Sequence, residues 1–289
     1  TPSLDALSNE WKGASQRLVA VVPTGKYVDA PPGMVHVPSV RGWKFSVTGL
    51  EIENYEGSGV QYPWETHPQI AHEAIRDIPA FYLDRLPVTN LDFQKFLKER
   101  DFHPADSRNF LRDWPKGKLT AALANKAVTW VSIEEARLYC RWLGKRLPHE
   151  WEWQYAAQGK DGRIYPWGNS WDQGRVPRVH VGRERRPGPD VGSYPAGASP
   201  FGALDMIGLV WQWTDEFFDE HTRAAVLKGG SFYQPAGSML YFPSAPGEPE
   251  HPERRGHQQV NVHAKYLLMD PSLDRAGTIG FRCAADAVE

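Results

Sequence analysis

Residues 201–234 read FGALDMIGLVWQWTDEFFDEHTRAAVLKGGSFYQ, and the rest of the chain is arranged around what they build. Trp211 and Trp213 follow a tight turn at Gly208 and stand two residues apart. In a strand that spacing puts both rings on one face and Gln212 on the other. A strand-like run over 225–227 then leads into Gly229-Gly230-Ser231. Paired glycines mark a place where backbone approaches backbone, or where φ is positive. Such a stretch makes a floor and turns a loop over it, which forms a pocket. The plainer reading is a Trp-rich core strand ending in a glycine bulge, since large aromatics mostly serve packing.

At 289 residues the chain is one large domain or two ordinary ones. Lys plus Arg number 33 against 35 Asp plus Glu, a net charge of −2 that gives no argument for nucleic acid or an anionic membrane. Twelve Trp, 26 Gly and 24 Pro point to a loop-rich domain with aromatic packing. No apolar run reaches the roughly 20 residues of a membrane span. The chain opens at Thr1 with neither Met nor leader, which reads as a processed or trimmed product. The two cysteines, Cys140 and Cys283, stand far apart and in no metal-ligand spacing; buried free thiols and one long-range bridge both fit.

Taken in order, residues 1–32 read as a short helix over 3–18, one strand and a linker outside the main pattern, so the domain itself spans 33–289. Segments 33–37 and 43–52 alternate in polarity as a pair of strands, 53–72 is a surface loop, and 78–83 is a strand. Thr89 or Asn90 caps a helix with an apolar stripe of Leu91, Phe93, Phe96 and Leu97. A polar loop over 101–127 holds Trp114. Ser132 and Glu135 form a capping box for a helix burying Ala136, Tyr139, Cys140 and Leu143 and ending at Gly144. His149 caps or precedes another helix over 150–157. YPWGN, 165–169, is a turn with a buried aromatic pair. Arg178, Arg183, Arg185 and Arg186 read as a solvated loop. Segment 235–274 is a long loop with His251, His257 and His263 at six-residue intervals, a spacing that matches no helix or strand face for a metal. A terminal strand covers 278–284. Asp215, Glu216, Asp219 and Glu220 read as a helix start serving the dipole and solvent. The chain has no GxSxG, HExxH, phosphate-binding or dinucleotide-binding glycine pattern. Composition and spacing alone thus give an α+β domain with a pocket near Trp213 and Ser231.

Six blocks in order carry more than that: FYLDRLPVTNLDFQKFL (81–97), VTWVSIEEARLYCRWLGKRLPHEWEWQYAAQG (128–159), YPWGN, FGALDMIGLVWQWT (201–214), LKGGSF (227–232) and GFRCA (280–284). Together with GMVHVP at 33–38, they resemble the formylglycine-generating enzyme, or sulfatase-modifying factor, family. Its relatives include the pyoverdine-maturation protein PvdO and the C-terminal domain of the ergothioneine sulfoxide synthase EgtB. The resemblance implies one α+β domain of the formylglycine-generating-enzyme fold, C-type-lectin-like and low in regular structure. It also implies a Cys140–Cys283 disulfide and, with it, an extracytoplasmic setting.

The departures bear on function. The family's two copper-binding, oxygen-activating cysteines fall on Gln234 and Met239, and an amide does not replace a thiolate. The glutamate of the family's calcium site falls on Gln212, which removes the charged ligand a hard cation wants; the other calcium site has no counterpart in 176–195. The ligand set for calcium or a transition metal is therefore degraded, no metal-binding residue is assigned, and the cofactor is left unspecified. The iron ligands of the sulfoxide synthases come from a helical domain that residues 1–32 do not supply.

The resemblance then implies a non-formylglycine member, a pseudoenzyme or binding module, that takes a peptide or small molecule in the pocket near 211–239. Trp213 and Tyr233 are its walls and Ser231 and Gln234 its hydrogen-bonding groups, with Met239 beside them. An upstream partner domain would fit the appended residues 1–32. The alternatives are a PvdO-like oxidoreductase using a bound metal or oxygen, and formylglycine generation on a sulfatase cysteine.

Overall fold

The computed structural model describes residues 16–18, 21–50, 65–66, 71–182, 187–215, 217–219, 225–235, 262–268 and 275–288. In chain order its strands and α-helices are β1 (Gln16–Leu18), β2 (Met34–Val37), β3 (Val40–Leu50), β4 (Ala71–Ile78), β5 (Phe81–Asp84), α1 (Asn90–Arg100), α2 (Ile133–Trp142), α3 (Glu150–Gln158), β6 (His180–Gly182), β7 (Trp211–Trp213), β8 (Phe217–Asp219), β9 (Ala225–Lys228), β10 (Tyr233–Pro235), β11 (Ala264–Leu268), β12 (Ile279–Gly280) and β13 (Ala284–Asp286). Six strands form the largest sheet, in the order β12-β7-β9-β11-β3-β4. The described residues also form a three-stranded sheet β13-β5-β2 and the pairs β1-β8 and β10-β6. This is the α+β class expected.

Strand β7 divides the interior. Trp211 and Trp213 face a core built with Phe93 and Phe96 of α1, Tyr139 and Cys140 of α2, and Phe281. Gln212 points the other way, toward Trp153 of α3, which belongs to a second core with Phe45 and Tyr155. Alternation across one strand thus connects two cores.

Local signals fix the helices. Thr89 Oγ1 accepts from Asp92 N at 3.1 Å at the start of α1. At α2, Ser132 N donates to Glu135 Oε2 at 2.8 Å and Ser132 Oγ accepts from Glu135 N, the reciprocal box. Glu135 is also buried and paired with Arg275, so the cap is locked by a residue 140 positions away. Cys140 and Cys283 form the disulfide, with Cα atoms 5.6 Å apart, tying α2 to the chain just before β13. Nearby, Arg146 joins Glu152 at 2.7 Å and Asp286 at 2.8 Å. The chain around 24–28 is fastened to the same strand: Thr24 N donates to Asp286 Oδ2 at 2.7 Å and Tyr27 N to Asp286 O at 3.0 Å.

Several expectations are corrected. Residues 16–18 are a strand paired with β8, where a helix to 18 was expected; 3–15 lie outside the described residues. The two strands after residue 33 exist but do not pair, since β2 joins β5 and β3 joins β4. The 78–83 strand breaks at Pro79, which lacks a donor, into β4 and β5. Likewise the terminal strand splits into β12 and β13, and β11 lies within the segment read as a loop to 274. Leu143 is 38% exposed at the end of α2, not buried. Asp215 starts no helix: it is buried and takes a bidentate pair from Arg137. Most of loop 53–72 lies outside the described residues, as do Arg183, Arg185, Arg186, Glu216 and Glu220.

Candidate functional site

Strand β9 hands over to the loop at Lys228, and two glycines make the turn with φ of +96° and +74°. A Cβ at Gly229 would lie 2.5 Å from Met206 O, so glycine is required by close approach as well as by φ. The facing turn is held by Gly208 N donating to Gly229 O at 2.8 Å. Beyond the glycines, Ser231 is buried and its Oγ accepts from Tyr233 N at 3.2 Å. Tyr233 OH donates to Gly182 O at 3.1 Å, and β10 runs parallel to β6 with Tyr233 opposite His180 and Gln234 opposite Val181.

Phe232 lines a narrow cleft of about 20 Å³ with Asn90, Asp113, Lys126, Thr129 and Gly188. Its ring lies against Gly188, where any side chain would collide with it. Lys126 clamps this wall, donating to Gly188 O at 2.6 Å and to Asp190 at 3.1 Å. A cleft this size admits about one water, or the tip of a ligand group.

The expected site residues separate into three groups. Ser231 and Tyr233 lie together on the loop, with the Gln234 backbone next to them in β10. Trp213 is wholly buried among the α1 and α2 side chains, its Nε1 donating to Val131 O at 3.1 Å; its ring is core. The Gln234 side chain and Met239 lie outside the described residues.

Gln212 does not suit a calcium ion. Its Oε1 accepts from Trp153 Nε1 at 2.9 Å and from Arg282 Nε at 2.6 Å. Its Nε2 donates to Asp205 O at 3.0 Å and Met206 O at 3.3 Å. Arg282 itself takes the carbonyls of Asp84, Leu204 and Asp205 at 2.8–3.0 Å. A guanidinium thus neutralises the carbonyls here, and an incoming divalent ion would meet it directly. Burial lowers the Arg282 pKa to about 10, still far above neutral. A copper–thiolate centre also lacks ligands, because the disulfide consumes both cysteines. Among the described residues, no three His, Cys, Asp or Glu side chains converge as a metal site. His263 does turn inward, its Nδ1 lying 2.7 Å from Ser46 O. Burial lowers its pKa. His251 and His257 lie outside the described residues.

Sequence reasoning missed the anchor of this loop. Lys228 is wholly buried, 3.6 Å from Glu150 and donating to Gln154 Oε1 at 3.1 Å and His263 O at 3.4 Å. It ties the residue before the glycines to α3 and to the start of β11. The only signal was a lysine ending the otherwise apolar run AVLK.

Residues 32–287 match the family described as sulfatase-modifying factor enzyme 1-like domain. The formylglycine-generating enzyme of Mycobacterium tuberculosis is 31% identical over 291 residues, 73% of this chain and 89% of that protein. The inactive C-alpha-formylglycine-generating enzyme 2 of Bos taurus is 27% identical over 258 residues, 73% of this chain and 78% of that one. YfmG of Bacillus subtilis, an uncharacterised protein, is 30% identical over 209 residues, 58% of this chain; the match spans only 42% of its own length. PvdO from Pseudomonas aeruginosa shares the fold at a TM-score of 0.56 and 19% identity, covering 92% of this chain and 99% of its own. With its matched region running from residue 32 to 287, the chain belongs to the sulfatase-modifying factor enzyme 1-like family.

Proposed function

We propose that this chain is a non-formylglycine member of its family, binding a peptide or small molecule at the loop 229–239. The observation that carries the reading is that both cysteines are joined in the Cys140–Cys283 disulfide, leaving no thiolate to bind copper or activate oxygen. Ser231 and Tyr233 form the described part of the site, Gln234 and Met239 extend it, and Trp213 supports it from the core. A buried disulfide also suits an oxidising compartment. A relative named as inactive is consistent with binding outlasting catalysis in this family.

The test combines metal analysis with a turnover assay. Protein purified without chelator is analysed by plasma mass spectrometry, then incubated with copper and a cysteine-containing peptide. The expected result is no stoichiometric copper and no aldehyde product. The peptide and its serine counterpart should bind with similar affinity, and Ser231→Ala and Gln234→Ala should each weaken both by about tenfold, the scale of one good hydrogen bond. Aldehyde formation would overturn the non-formylglycine reading, and unchanged binding in both variants would overturn the site.

A further inference from the structure

The second cavity lies at other turns and shares no lining residue with the cleft at Phe232. It is an open groove of about 450 Å³ between the β2–β3 and β4–β5 connections, bordered by Val288. That is the size of a small-molecule pocket. Its frame is specific. Val40 pairs with Ile78 and Trp43 with Arg76, so Arg41 and Gly42 together oppose the single residue Asp77. This is a β-bulge, a device that redirects a side chain. Gly42 has φ +62°, and its N–H donates to Asp77 Oδ1 at 2.6 Å, fixing the bulge across the strands. Pro38 and Pro79 stiffen the two connections.

The lining carries one guanidinium and one carboxylate, so its formal charges cancel, but its open hydrogen-bonding groups are mainly donors. The side chains of Arg41, Ser39 and His36 are exposed, border the cavity, and make no hydrogen bond or ion pair among the described residues. His36 only leans on Tyr82, with ring centroids 5.4 Å apart. Asp77, the one acid in the lining, is already engaged by Gly42. The rest is apolar: Pro38, Val40, Ile78, Pro79, Ala80 and Val288. Unused donors including a guanidinium, set beside an apolar wall, complement an anion carrying a hydrocarbon group.

We propose that the Arg41 bulge is a binding site for a carboxylate with an apolar substituent, either a free organic acid or the C-terminal residue of a peptide. The Arg41 guanidinium takes the carboxylate, Ser39 and His36 add donors, and the substituent lies on Pro79, Ala80 and Val288.

The test is NMR titration of the ¹⁵N-labelled full chain with 4-methylpentanoate and with the tripeptide Gly-Gly-Leu. At least one should shift the amides of the non-proline residues in 36–42, 77–80 and 288, with half-saturation at about 1 mM, the scale for so small a ligand. Saturation by one probe only identifies the source of the carboxylate. Arg41→Gln should weaken the response about tenfold, and Arg41→Lys should keep part of it. The inference is overturned if neither probe shifts these amides, if 4-methylpentanamide acts as strongly as the acid, or if Arg41→Gln binds as the native chain does.

Discussion

Replacing Gln212 by leucine tests whether this amide joins the two cores. The side chains are close in size, so the change removes hydrogen bonds with little change in volume. Trp153 Nε1 and Arg282 Nε both lose their acceptor inside the protein. An orphaned buried N–H costs about 1–3 kcal/mol, and one on a guanidinium falls in the upper part of that range or beyond. Asp205 O is spared, because Arg282 Nη2 still donates to it at 3.0 Å, whereas Met206 O loses the Gln212 donor at 3.3 Å. Leucine returns about 1 kcal/mol through its added apolar surface. The net loss is about 2–5 kcal/mol, which corresponds to a Tm lowered by about 3–8 °C for a chain of this size. Urea unfolding followed by near-UV circular dichroism gives the free energy, and an unchanged m-value confirms that the native state is intact. A loss below about 1 kcal/mol, with the m-value unchanged, would mean that water or a shifted Arg282 satisfies these donors, and the account of Gln212 would fail.

Other expectations follow from the same network. Removing the disulfide with Cys140→Ser and Cys283→Ser should destabilise the chain by about 2–5 kcal/mol, and the native protein should show no reactive thiol until it is reduced and unfolded. Arg146→Met strands Glu152 and Asp286 and should cost about 3–5 kcal/mol at neutral pH. Arg146 holds the buried Glu152 carboxyl below its ordinary value of 4.5 despite the opposing effect of burial. That stabilisation is complete above pH 4.5 and fades as pH falls through the lower folded value, so the variant's stability should fall less steeply in acid. Burial lowers the pKa of His149, with Glu152 and Asp215 opposing the shift and Arg146 adding to it. The folded state then takes up fewer protons than the unfolded one. Stability is therefore full above 6.5 and declines below it, a decline that His149→Gln should make shallower in pH-dependent urea midpoints, leaving the part due to His263.

What was legible in the sequence is what neighbours in sequence decide. The helix start at Thr89 or Asn90, the Ser132–Glu135 box and the Trp211/Trp213 alternation each need only three or four residues to state their meaning, and each stands in the structure, with Thr89 as the cap. Strand partners did not follow from local pattern, because β2 and β3 are equally good strands whichever neighbour they take. Buried charges were least visible. Lys228 and Arg282 are satisfied by groups on segments distant in sequence, and no spacing rule announces them. Gln212 shows the consequence. Read beside the family's glutamate it is a lost ligand, a statement about an ion. In place it faces two donors, from Trp153 and Arg282, and two carbonyls, of Asp205 and Met206. An ionised carboxylate could serve the donors but would set oxygen against both carbonyls, and an aliphatic chain would serve neither. The amide offers an acceptor and two donors from one planar group, so glutamine here answers to the fixed guanidinium of Arg282 and the two carbonyls beside it.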